Sequence, residues 1–252
     1  MKIYWFQRTP TFNFKELSER LEISGFTGIL FPYSSSGPDY FIDIAHSIDT
    51  KLKIKYMVAA RPYAITPQQL VKIKASMDKI SRNRILINFV TGAIPDEEKT
   101  ISTIVGDIND LSSNIERLNY MEQYLIKLKE IKDILPQFYV SCTNKFIFEA
   151  VKDNKVIVPY SWYKTKNLDL QPQKSMVYVL AAIRKNKKEL DSLDRANFLQ
   201  DTEFFTENEF KDFVLSLKQD NFDGILISNN VTDLETDIIL KVIEEIKEES
   251  VR

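Results

Sequence analysis

The chain has 252 residues with 34 basic against 36 acidic side chains, a formal net charge of −2 and 44% hydrophobic residues. That balance excludes the strongly basic surface that a nucleic-acid or anionic-membrane partner requires, and the length suits one domain with a large core. One cysteine (Cys142) excludes an internal disulfide, and one histidine (His46) leaves almost no material for a transition-metal site or for Ser-His-Asp and Cys-His catalysis. The start, MKIYWFQRTP, lacks the apolar core of a signal peptide, and no apolar run approaches a membrane span, so a cytoplasmic protein is expected.

KIYWF (2–6) predicts a first strand, with Gln7 and Arg8 at its carboxyl end. Phe14, Leu17 and Leu21 recur at helical spacing and predict a helix over Phe14–Ile23. GILF (28–31) is a second strand, PYSSSGP its loop, and Pro38-Asp39 the opening of the next helix, with an acid near its amino end. KIKYMVA (53–59) is a third strand. Thr66 as N-cap and Pro67 at the first helical position start a helix running to about Ile80. RILINFV (84–90) is a fourth strand. From Thr91 to about Asn114 no firm pattern emerges, which predicts an ordered surface excursion or a lid.

Ile115 to Asp133 is an amphipathic helix, QFYVS (137–141) a fifth strand and Asn144–Asp153 its helix. KVIVPY (155–160) is a sixth strand, followed by the turn-rich TKNLDLQPQ. SMVYVLAAI (175–183) is a seventh, whose helical partner reads as split into a polar run from Lys185 to Leu199 and a helix over Glu207–Gln219. FDGILIS (222–228) is an eighth. Asp233–Glu248 is a last helix whose alternating charges read as a solvated face.

Strands that alternate with helices run parallel, because each crossover returns the chain to the same edge. Eight such units predict an α/β fold, a single-domain (β/α)8 TIM barrel over residues 1–252, with a doubly wound open sheet as the rival. In a barrel the site lies at the carboxyl ends of the strands. Position alone then nominates Gln7, Arg8, Tyr33 to Ser36, Arg61, Thr91, Ser141 to Thr143, Tyr160 to Trp162, Arg184 and Ser228 to Asn230. These are hydroxyls, amides and aromatic rings rather than groups that titrate near neutrality. Such a set suits a cofactor that carries its own chemistry.

Ser141, Cys142 and Thr143 precede a helix, so they read either as a phosphate site or as simple N-capping. Asn88 and Thr91 read, by themselves, as a polar pair bracing the strand ends. Asp39 reads as a helix N-terminal acid and His46 as a structural histidine. Cys142 reads as a reactive thiol or as a small buried side chain.

Four pieces of this order carry a resemblance: GFTGILFP, then Asp39 with the helix it opens, then VAARP with a second proline five residues on, then ASMDKISRNRILINFVTG. The run from Pro32 to Gly92 resembles the bacterial luciferase-like family of flavin-dependent monooxygenases, nearest its alkanesulfonate monooxygenase branch. The resemblance implies a TIM barrel that receives reduced FMN from a separate NAD(P)H:flavin reductase and oxygenates a small organic substrate. The alternative it leaves open is a flavin-binding or catalytically silent homologue serving as a partner subunit. It implies Asn88, Thr91, Ser141, Cys142, Thr143 and Tyr160 as cofactor contacts, with Arg8, Arg61, Tyr178 and Asn230 as catalytic candidates. No metal is implied.

Family members pair through helices beside the early strands. A homodimer, or a heterodimer with a homologue, is therefore expected, with the apolar Leu70, Val71, Ile73, Met77 and Ile80 of the helix over 68–80 as its surface. The chain departs from the sulfonate branch at several positions. Gly37 stands where that branch has a cysteine, Tyr178 and Leu180 where it has an arginine and a histidine, and Asn230 and Thr232 where it has a tyrosine and a histidine. Leu118 replaces a phosphate-contacting tyrosine. Sulfonate oxidation is not expected.

Overall fold

The computed structural model describes residues 1–8, 13–33, 39–91, 114–131, 138–165, 169–199, 201–229 and 233–249. Nine strands occur among them: β1 (Lys2–Phe6), β2 (Gly28–Phe31), β3 (Lys55–Ala60), β4 (Ile85–Phe89), β5 (Phe138–Ser141), β6 (Val156–Pro159), β7 (Ser175–Arg184), β8 (Thr202–Thr206) and β9 (Gly224–Asn229). The α-helices are α1 (Phe14–Ile23), α2 (Tyr40–Ser47), α3 (Pro67–Ser81), α4 (Asn114–Glu130), α5 (Lys145–Val151), α6 (Tyr160–Thr165), α7 (Lys187–Asp191), α8 (Glu207–Gln219) and α9 (Asp233–Glu249). The strands follow the order β6-β5-β4-β3-β2-β1-β9-β7-β8, with β6 also bonded to β7, which is the connectivity of a (β/α)8 barrel carrying one additional strand. No helix among the described residues is long and apolar enough to cross a membrane. By contacts the chain divides into two compact units: residues 1–30, 51–54 and 157–252 form one, residues 31–50 and 55–156 the other.

In the first unit β1 pairs in parallel with both β2 and β9, aligning Tyr4 with Gly28 and with Leu226. Gly224 lies where β9 meets Lys2 and Met176 at once, and a Cβ there would stand 2.7 Å from the Lys2 carbonyl oxygen. Only glycine admits that approach. Helix α8 starts on a capping box, Thr206 and Glu209 each receiving the other's backbone N–H, and buries Phe210, Phe213, Val214 and Leu217. Helix α9 buries Ile239, Val242, Ile243 and Ile246.

Strand β8 is absent from the expectation for this unit, which placed only helix and linker between β7 and Glu207. Leu180 and Ala181 pair with Thr202 and Glu203 of β8 and also with Ser228 and Asn229 of β9. A strand residue has two edges, so β8 lies on the β7 edge opposite β9. At ten residues β7 is long, and β8 covers its last part up to Arg184; an uncovered edge there would leave backbone groups unpaired. The polar run after β7 is shorter as helix than expected, a five-residue α7 capped by Asn186. Likewise the sixth strand ends at Pro159, and Tyr160 opens α6 instead. Helix α9 departs from the solvated reading at one acid: Glu235 is 0% exposed.

In the second unit β3, β4 and β5 are parallel and in register, with Ala59 opposite Asn88 and Asn88 opposite Tyr139. Helix α3 begins as its sequence predicts, on a Thr66–Gln69 capping box with Pro67 in the first turn. Leu70, Val71 and Met77 of α3 are buried within the chain, so they are not the pairing surface their spacing suggested; Ile80 remains exposed. Asp39 caps α2, its carboxylate accepting the Phe41 N–H at 2.9 Å, which is the bland reading of that acid. His46 is exposed near the end of the same helix. The connection expected from Thr91 to Asn114 falls, apart from its two ends, outside the described residues.

Candidate active site

In the second unit, three strand ends carry polar groups. Asn88 is 1% exposed on β4. Its Oδ1 accepts the Ser141 hydroxyl from the end of β5 at 3.0 Å. The two residues are 53 positions apart in sequence, and strand pairing alone brings them together. Thr91 is buried just past β4. Cys142 points inward, with Sγ 3.7 Å from the Val140 carbonyl, and burial pushes its thiol up to about 12. It is a small buried side chain, not an activated nucleophile. Thr143 is exposed. The start of α5 is capped by neither Ser141 nor Thr143: Asn144 accepts the Ile147 N–H at 3.0 Å. The hydroxyls before it therefore face other uses.

Arg61 follows β3 and is 7% exposed. Its guanidinium lies 4.6 Å over the ring of Tyr33 and 5.8 Å from that of Tyr63. Burial raises the Tyr63 phenol, against the opposing pull of the Arg61 charge and a hydrogen bond to Arg61. Beside them a cavity of about 270 Å³ opens between the ends of β2 and β3 and the start of α2.

In the first unit, the ends of β1, β7 and β9 form a different cluster. The Tyr178 ring stands edge-on to Phe6 at 5.8 Å. Its hydroxyl is in hydrogen-bond contact with Arg8 and Ser228. Burial raises the Tyr178 phenol, Arg8 lowers it and Asp201 raises it again, for a net upward shift. Ser228 is fully buried, and its hydroxyl also reaches the Phe6 carbonyl at 3.4 Å. This network brings two catalytic candidates, Arg8 and Tyr178, into contact. Ser228, nominated from sequence only by its place at a strand end, joins them. Close to the β7 end, Arg184 donates to the Glu235 carboxylate at 2.6 Å. Tyr160 belongs to an aromatic cluster: its ring meets Phe213 edge-on at 4.7 Å and Phe205 at 5.8 Å. Asn230 lies outside the described residues.

The carboxyl ends of these strands thus hold amide, hydroxyl, phenol and guanidinium groups. Glu235, the buried carboxylate beside them, is engaged by Arg184. Each unit's set, taken by itself, can donate hydrogen bonds to a polar ring system, and among the described residues each offers little for proton abstraction near neutral pH.

No family model matches the sequence. Solved structures match it nearly end to end. A long-chain alkane monooxygenase superposes with a TM-score of 0.71 at 11% identity, covering 99% of this chain and 91% of that one. The oxygenating constituent of 3,6-diketocamphane monooxygenase from Pseudomonas putida, a type II Baeyer-Villiger monooxygenase in complex with FMN, gives 0.66 at 10% identity, covering 97% and 96%. The coenzyme F420 dependent tetrahydromethanopterin reductase from Methanopyrus kandleri gives 0.65 at 12% identity, covering 96% and 97%. At such identities the likeness shows the fold, a (β/α)8 barrel.

Proposed function

We propose that this chain is a flavin-dependent monooxygenase of the luciferase-like family, using reduced FMN delivered by a separate NAD(P)H:flavin reductase to oxygenate a small organic substrate. The observation that carries the reading is the Asn88–Ser141 hydrogen bond, half-buried at the ends of β4 and β5. It is a neutral, fixed polar pair on a fold shared end to end with an FMN-bound oxygenating constituent. That this neighbour is described as one constituent of a monooxygenase supports a reductase partner. Pairing with a second copy or a homologue belongs to the same reading.

The residues fit FMN by their chemistry. Asn88 and Thr91 offer amide and hydroxyl groups to a ring system. Ser141 and Thr143 offer hydroxyls to a phosphate, with Lys145 two residues on. Cys142 would contribute only its main chain, because its thiol faces the core. The Arg184–Glu235 pair supports this placement: a carboxylate at the start of α9 occupies the kind of helix terminus where barrels often hold phosphate. When bound, FMN supplies the electrons and the activation of oxygen.

The protein's own part is orientation and protonation. Ser141 fixes the rotamer of Asn88 by its hydrogen bond. Tyr178, raised by burial, keeps its proton at neutral pH and acts as a donor rather than a base. Arg8 places positive charge beside that phenol. Tyr178 and Leu180 stand where the sulfonate branch carries an arginine and a histidine, so sulfonate is not the substrate in this reading.

The test is an anaerobic titration with reduced FMN, followed by admission of oxygen. Saturable binding and oxidation kinetics distinct from those of free FMN are expected. A reduced 5-deazaflavin titrated in parallel separates the two cofactor classes seen among proteins of this fold. Absence of FMN binding, or oxidation identical to that of the free cofactor, would overturn the proposal.

A further inference from the structure

The cavity between the ends of β2 and β3 and the start of α2 has a composition that the flavin reading does not use. Its floor is buried apolar surface, Val58, Ala59 and Ala60 of β3. Half-buried Ile65 and Ile73 continue that surface, and the exposed Ala64 joins them at the mouth. Two phenol rings, Tyr33 and Tyr40, complete the wall. Both are anchored by the chain itself: Tyr40 stacks on Phe31 at 5.1 Å, and Tyr33 carries the Arg61 guanidinium at 4.6 Å. Anchored rings need no ordering when a ligand arrives, which is the preformed character of small-molecule sites.

Size sets the first limit on a ligand. An apolar cavity of about 150 Å³ accepts benzene. At about 270 Å³ this one holds a single ring with a small substituent, or a fused pair of rings. Shape sets the second limit. Alanine side chains keep the floor flat, and phenol walls favour an aromatic partner over an aliphatic one of equal size, through offset and edge-on ring contacts.

Charge sets the third. Arg61 and Asp39 both border the cavity, and both are committed within the chain. The Arg61 guanidinium is engaged by the rings of Tyr33 and Tyr63 and by a hydrogen bond with Tyr63. The Asp39 carboxylate caps α2 by accepting the Phe41 N–H at 2.9 Å, and it is exposed, so water screens its charge. A charged ligand would trade its hydration for apolar walls, whereas an uncharged one gives up little.

We infer that this cavity binds a small uncharged aromatic molecule, one ring or a fused pair, lying against the alanines of β3 and the rings of Tyr33 and Tyr40. The site lies wholly within the second unit and its occupation is measured without flavin, so it stands or falls independently of the monooxygenase reading.

The experiment titrates the full chain with indole and phenol, by calorimetry or ligand-observed NMR. Cyclohexanol serves as an aliphatic ligand of phenol's size, and benzoate and benzylammonium as charged rings. At least one of indole and phenol should bind saturably. Cyclohexanol should bind severalfold more weakly than phenol, and both charged rings at least about tenfold more weakly than the tighter neutral one. Ala64→Phe fills the mouth from an exposed position and should weaken the neutral rings severalfold. A thermal melt shows whether that variant keeps the fold, and the comparison of neutral with charged rings in the unmodified chain needs no variant at all. Sedimentation in parallel tests the other occupant of an apolar mouth: indole binding only to the dissociated form of a self-associating chain would assign the mouth to a second copy and overturn the inference. No saturable binding of either neutral ring, a charged ring bound as tightly as the neutral ones, or unchanged binding in folded Ala64→Phe would each overturn it as well.

Discussion

The two units solve the same problem, a guanidinium at a strand end, in opposite ways. In the first, Arg184 is answered by Glu235, a fully buried carboxylate from the start of α9, at 2.6 Å. In the second, Arg61 spreads over the faces of Tyr33 and Tyr63. An ion pair made from within the chain leaves nothing for a ligand to neutralise. A guanidinium laid over aromatic faces has its plane fixed by the rings rather than by a carboxylate. The same contrast runs through the neutral groups. Tyr178, Arg8 and Ser228 form a closed donor network in the first unit, whereas the second pairs an amide with a hydroxyl and turns its one thiol away. Ligand chemistry is therefore read chiefly into the second unit.

The largest expected effect breaks the closed half of this comparison. Glu235→Ala leaves the Arg184 charge without its buried partner and should cost about 3–5 kcal/mol in urea unfolding. Replacing both groups with apolar residues, as in Arg184→Met with Glu235→Leu, should recover most of that loss. If the single substitution costs no more than an ordinary surface change, the pair is not what closes the site.

The next effect is on ligand affinity in the open half. Thr143→Val should weaken FMN about ten- to a hundredfold, the equivalent of roughly 1.5–3 kcal/mol, while leaving riboflavin almost unchanged. Ser141→Ala should weaken both ligands, because its hydroxyl also fixes Asn88. The two variants together separate a phosphate contact from a ring contact. Equal losses of FMN and riboflavin in Thr143→Val would place the phosphate elsewhere.

Much of the fold was legible in the sequence because local signals and tertiary packing agree. Helix α1 lies over its predicted residues, and α3 carries the capping box and proline that its sequence announces. Strand β8 was not legible. Its reading as linker followed from a polar run before it and a capping box after it, and its reason for existing is the length of β7, a property of another segment. The site was legible as a list of strand-end positions but not as contacts. Asn88–Ser141 and Arg8–Tyr178 meet only once strands align. Glu235 looked like one charge of an exposed face, since helical periodicity says nothing about a partner 51 residues away. Leu70, Val71 and Met77 misled in the other direction: their spacing reports an apolar face, and that face is covered by the chain itself.

A smaller effect concerns alkaline pH, and it sharpens the view of Cys142 as sealed. Its thiol, pushed up to about 12 by burial, should react with iodoacetamide far more slowly than a free cysteine at pH 8. The rate should keep rising with pH beyond 10 without levelling. A plateau near pH 8–9 in the folded protein would mean that the thiol is solvent-facing and available to a ligand.

The smallest expected effect has the opposite sign to the rest. Tyr124 of α4 is 3% exposed, packed edge-on against Phe89 at 5.5 Å, and its hydroxyl is buried with no hydrogen-bond partner among the described residues. The ring contributes apolar burial and an aromatic contact, while the hydroxyl has exchanged water for nothing and carries a desolvation cost. Removing only the oxygen keeps the first and relieves the second. Tyr124→Phe should stabilise the protein by about 1 kcal/mol at neutral pH.

The pH dependence gives a second readout. Burial raises the Tyr124 phenol well above its ordinary value of about 10. The unfolded state therefore releases that proton first as pH rises. This residue's share of stability is fully present below pH ~10 and is lost progressively above it. Phenylalanine has no proton to lose, so the gain over the unmodified chain should widen from pH 9 to pH 11. Tyr63 and Tyr178 are raised by burial too but retain hydrogen-bond partners, and their phenylalanine variants should lose stability at neutral pH instead. Urea unfolding of the three variants at pH 7 and pH 10.5 checks this. A destabilised Tyr124→Phe at neutral pH would mean that its hydroxyl is satisfied after all.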